Sequence, residues 1–154
     1  MTLQPDEAKL NDLLGKMLGD LGGAFDAPLV RLGLSLGLWK ALHEKGPMTP
    51  AALAAETGCD PRYIREWLSA QAASGYVAYD EPQASFALSP EQAMVFAIPD
   101  SPVYLIGAFD AAAAMLENQP LVEKAFRSGD RCNLPLPCRL GLSAAGNDIS
   151  LRPT

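Results

Sequence analysis

Apolar residues recur at three- and four-residue steps along the first stretch of the chain: Leu10, Leu13, Leu14, Met17, Leu18 and Leu21. Glu7, Lys9, Asp12, Lys16 and Asp20 take the other side, so the pattern predicts an amphipathic helix over Pro5 to Leu21. Asp6 and Glu7 lie in its first turn, where the helix dipole favours anions. Gly22-Gly23 is expected to end it.

A second helix is predicted from Asp26, an N-cap before Pro28, to His43 or Glu44. Leu29, Val30, Leu32, Leu34, Leu36, Leu38, Trp39 and Leu42 surround its axis, as in a helix covered on several sides. Gly33, Gly37 and Ala41 fall four apart and form a smooth strip. Two readings stay open: a central core helix, or one whose Gly33, Gly37 and Trp39 surface meets a second subunit or domain.

The pattern then breaks into short pieces. Thr49-Pro50 and Asp60-Pro61 each pair an N-cap with a first-turn proline, opening helices over Ala51 to Thr57 and Arg62 to Ser74. Gly58 and Gly75 close them. Two short helices around Gly58-Cys59-Asp60 make a helix-turn-helix. Tyr76 to Tyr79 and Ser85 to Leu88 are β-prone runs joined by Asp80-Glu81-Pro82-Gln83-Ala84, a hairpin or wing. The fold class is therefore mainly α: a winged helix-turn-helix with a small hairpin wing and flanking dimerisation-type helices.

Ser89-Pro90-Glu91-Gln92 opens a further helix, with Gln92 completing a capping box. Ser101 is expected to cap a helix from Pro102 to about Glu117, and Gln119-Pro120 begins a last one ended by Gly129. Between Gln92 and Leu116 only Asp100 and Asp110 are charged, a surface that expects a partner. From Arg131 the periodicity stops. The predicted organisation is an N-terminal helix (1–24), the winged helix (25–92), a helical extension (93–129) and an irregular tail (130–154).

Composition narrows the function. The chain has 154 residues, 49% of them apolar, enough for a core, and a net charge of −6. No window approaches an apolar membrane span, and the start has no basic-apolar leader, so a cytoplasmic protein is expected. Between Thr49 and Leu88, Arg62 and Arg65 face Glu56, Asp60, Glu66, Asp80 and Glu81, two cations against five anions. Arg62 and Arg65 are the residues that would touch DNA if the second helix entered a groove. Two arginines release few counterions, so nucleic acid is not the expected partner.

Catalytic or metal chemistry finds no anchor. His43, the one histidine, stands at a helix end beside Glu44. Cys132 and Cys138 have five residues between them and no histidine near them, and Cys59 sits in a turn, so no zinc or redox site is indicated. No glycine-rich strand-to-helix turn of the phosphate-binding kind occurs.

The run Asp60-Pro-Arg-Tyr-Ile-Arg-Glu-Trp-Leu-Ser-Ala-Gln-Ala-Ala-Ser-Gly-Tyr-Val-Ala-Tyr-Asp80 resembles the winged-helix segment that opens a family of bacterial S-adenosylmethionine-dependent methyltransferases. Leu32 to Leu42, Leu53 to Gly58 and Phe86 to Ala93 resemble the same family, so the similarity covers roughly Asp6 to Gly129. It implies a homodimer-forming lobe that covers the substrate pocket of a following Rossmann-like domain. That domain, which would hold S-adenosylmethionine, is not recognisable in this sequence. No cofactor is therefore expected on this chain, and the tail from about Asp130 is expected to be out-of-frame or otherwise unrelated, leaving a truncated, inert methyltransferase lobe. A DNA-binding regulator and a stand-alone ligand-binding module, with its pocket between the second helix and the Pro102–Glu117 helix, are the alternatives.

Overall fold

The computed structural model describes residues 4–129 and 131. Helix α1 spans Glu7–Ser35, α2 Leu38–Lys45, α3 Pro50–Thr57 and α4 Pro61–Ala73. Strands β1 (Ala78–Asp80) and β2 (Ser85–Ala87) follow, then α5 (Pro90–Phe96), α6 (Ile106–Glu117) and α7 (Gln119–Ser128). Two compact units meet in sequence at Ile106/Gly107. The winged helix lies in the first. The expected tail, with Cys132 and Cys138, falls outside the described residues apart from Arg131.

The start of the chain corrects the sequence reading. One helix of 29 residues runs through Gly22-Gly23 and Pro28, where a stop and a restart were expected. Asp26 is not an N-cap: its carboxylate accepts the Ser74 hydroxyl, with oxygen distances of 2.8 and 2.9 Å. The indole N–H of Trp67 donates to the Leu29 carbonyl at 2.8 Å, and that of Trp39 to Val30 at 3.0 Å. Two glycines cost a helix about 1 kcal/mol each and an interior proline about 3. These tethers, with Val30 and Gly33 buried beside them, hold the helix from Asp26 onward and offset the proline's share of that penalty. The break comes instead at Gly37, whose φ of +71° suits glycine, and α2 starts immediately after it.

Helix α2 supplies the middle of the core. Leu38, Trp39 and Leu42 are each about 1% exposed, packed with Val30, Leu53, Leu68 and Phe96. Full burial of such side chains is worth roughly 1.5–3 kcal/mol apiece. Trp39 stacks on Phe96 with centroids 4.6 Å apart and meets Trp67 edge-on at 4.8 Å. Gly33 makes this cluster possible, because a Cβ there would collide with the Trp39 indole nitrogen and lie 2.6 Å from Trp67.

The winged helix forms as its local signals predict. Thr49 accepts the Ala52 amide and Asp60 the Arg62 amide, each ahead of a proline in the first turn. Gly58 ends α3 with φ +67°. Strands β1 and β2 pair antiparallel, Tyr79 opposite Phe86. Met48 adds a bridge to Phe86, exchanging N–H···O bonds of 2.8 and 2.9 Å, so the segment before α3 extends the wing. The capping box on α5 is present, with Gln92 and Ser89 bonded to each other's amides.

The helix expected from Pro102 starts at Ile106. Ser101 does accept the Val103 amide, but the Leu105 amide donates back to Val95 at 3.2 Å instead of into a helix. In the second unit, Asn118 bonds the Ala114 carbonyl through its side chain, closing α6. Gly129 ends α7 at φ +75°.

Candidate functional site

Three surfaces compete for a function, and their residues decide between them. On the helix-turn-helix, Ile64, Trp67, Leu68 and Gln71 turn inward, leaving Arg62, Tyr63, Arg65 and Glu66 exposed on the outer face of α4. The Arg62 guanidinium lies 6.0 Å from the Tyr63 ring centre. Asp80 and Glu81 stand exposed at the wing. The geometry is that of a DNA reader, but the charge is not: only Arg62 and Arg65 answer five acids across Thr49 to Leu88.

The second surface is the first part of α1. Every residue from Glu7 to Phe25 is exposed. Leu10, Leu13, Leu14, Met17, Leu18, Leu21 and Phe25 lie between 42% and 73% accessible. Such a stripe on one amphipathic helix is costly to leave in water. Apolar side chains further along are exposed as well: Met94, Val103 and Leu105 in the first unit, and Met115 and Leu116 in the second.

Beside α2 lies the third, an open groove of about 450 Å³ walled by Trp39, Lys40, His43, Glu44, Phe96 and Tyr104. Lys40 pairs with Glu44 at 3.7 Å, and His43 is exposed at the rim. Trp39 and Phe96 use their faces on each other, leaving little ring surface for a ligand. Among the described residues no group of histidines, cysteines and acids is placed to hold a metal ion.

Of the predicted interface residues, Gly33 and Trp39 are buried within the chain, and Gly37 is half-buried at the α1–α2 break. Three features escape sequence reasoning. The Asp26–Ser74 tie joins residues 48 apart. Gln71 is fully buried, and both its amide atoms lack a partner among the described residues. Its spacing from Ile64, Trp67 and Leu68 places it on the inner face, which was the available signal. Glu91, exposed on α5, has its carboxyl held below the ordinary value by its own backbone amide and then by the Ser89 hydroxyl.

Residues 24–97 match the family model described as "Rv2258c-like winged HTH domain". No curated protein matches the chain. Among solved structures, the mitomycin 7-O-methyltransferase MmcR aligns with a TM-score of 0.65 at 25% identity, over 82% of this chain and 37% of that one. The N,N-8-amino-8-demethyl-D-riboflavin dimethyltransferase RosA from Streptomyces davawensis gives 0.61 at 27%, over 79% and 35%. CalO1, a methyltransferase in calicheamicin biosynthesis solved with SAH bound, gives 0.53 at 24%, over 82% and 35%, a likeness of fold. The chain thus spans little more than a third of these relatives. Residues 24–97 are similar to the Rv2258c-like winged helix-turn-helix domain, and the chain resembles the N-terminal regions of methyltransferases.

Proposed function

We propose that this chain serves as the N-terminal, winged-helix lobe of a cytoplasmic S-adenosylmethionine-dependent methyltransferase, joining two copies and helping to enclose substrate. The exposed apolar stripe of α1 carries the reading, because an amphipathic helix that no other described residue covers suits a second copy. Gly33 and Trp39 act from beneath, seating α1 on the lobe. The free thiol of Cys59 suits a reducing compartment.

Methyl transfer belongs to a catalytic domain in this reading. The residues described here do not fit S-adenosylmethionine: their strands form an antiparallel wing, and β2 leads into α5 through Leu88-Ser89 with no glycine turn. No step of the reaction is therefore assigned to them. Calorimetry with S-adenosylmethionine is expected to give no heat of binding, and light scattering is expected to give a dimer. Cofactor binding would overturn the assignment of inertness; a monomer at high concentration would overturn the joining role.

A further inference from the structure

We infer that Gly22 to Pro28 is a hinge on which the exposed arm of α1 swings relative to the winged helix. The two sides of this segment are held very differently. From Asp26 onward the helix is fastened by Ser74, Trp67 and Trp39, through bonds to Asp26, Leu29 and Val30. Before it, every residue from Glu7 to Phe25 is exposed.

The segment itself is weak for a covalent reason. Pro28 has no N–H, so the Ala24 carbonyl loses the bond that would join the two sides in an unbroken helix. Gly22 and Gly23, adjacent and just ahead of it, are the residues with the greatest backbone freedom. Among the described residues no packing contact requires them. A Cβ at either would meet no atom within 4 Å, and neither adopts the positive φ that favours glycine. Alanine would fit both positions and strengthen the helix. Kinks and bends in helices concentrate at proline and glycine for these reasons.

The hinge rests on the chemistry of α1 alone. What it does rests on the lobe reading: an arm whose direction is adjustable can keep its apolar stripe on a second copy while each winged helix moves over its own substrate pocket.

The test measures spin-label distances between Asp12→Cys on the arm and Ser69→Cys on α4, with Cys59, Cys132 and Cys138 changed to Ser. Labelled protein is diluted with unlabelled protein so that only intrachain distances register. The expected distribution is broad, and Gly22→Ala/Gly23→Ala/Pro28→Ala narrows it by roughly half while helix content holds or rises. The control Gly15→Ala/Gly19→Ala, one and two turns earlier, leaves it broad. A narrow distribution in the parent overturns the hinge. So does a breadth unmoved by the triple variant, or narrowed equally by the control. Light scattering on the same samples reads the joining role separately: a monomer with a mobile arm removes the dimer and leaves the hinge standing.

Discussion

At the scale of single residues, Gly33 and Gln71 show how differently two core positions behave. Gly33 is glycine because two indoles occupy the space where a side chain would begin. Gly33→Ala forces Trp39 and Trp67 apart and is expected to lower stability by about 1–3 kcal/mol in urea unfolding. Gln71 is the opposite case. Its amide is fully buried without partners among the described residues, which costs about 1–3 kcal/mol relative to an apolar side chain of similar shape. Gln71→Met is therefore expected to hold or raise the unfolding free energy by about 1 kcal/mol; a clear loss would mean that the amide has a partner after all. Glu91 offers a pH-dependent check. Its folded value lies below its unfolded one, so its contribution is present above the ordinary carboxylate range and disappears as pH falls through the lowered value. Carbon-detected titration of the Glu91 carboxyl is expected to give a midpoint below that of a free glutamate.

The elements divide by the range of the forces that set them. The ends of α3, α4 and α5 were legible because Thr49, Asp60 and Ser89 bond amides two or three residues away. The hairpin was legible for the same reason, its turn residues lying between two short β-prone runs. The continuity of α1 was not. Gly22-Gly23 and Asp26-x-Pro28 are strong local punctuation, and they are overruled by side chains from α2 and α4 that the local pattern cannot place. The Pro102 start failed likewise, through the tertiary bond from the Leu105 amide to Val95. If the Ser74 tie matters to α1 as argued, Ser74→Ala leaves a half-buried Asp26 without its donor. Ser74→Ala is expected to cost about 1–3 kcal/mol and speed amide exchange around Asp26 more than at the far end of α4. Uniform acceleration along both helices would place the effect elsewhere.

For the whole molecule, the question is which face meets a partner, and charge and apolar area answer together. The helix-turn-helix has the shape of a nucleic-acid reader and the wrong sign of field. The arm of α1 has no chemistry, but seven large apolar side chains in water. Leu14→Glu/Leu18→Glu alters two exposed positions, 47% and 67% accessible, without touching the core. Each glutamate introduced into a closed apolar contact would be a buried, unpaired charge costing roughly 3 kcal/mol or more. The double variant is expected to weaken self-association at least about 100-fold, while helix content and the thermal midpoint of the winged helix stay as in the parent. Concentration-dependent light scattering reads the first quantity and circular dichroism the second. Arg62→Ala/Arg65→Ala, which alters the helix-turn-helix instead, is expected to leave association unchanged. If the arginine pair moved it and the leucine pair did not, the partner surface would lie on α4 and the joining role of α1 would be lost.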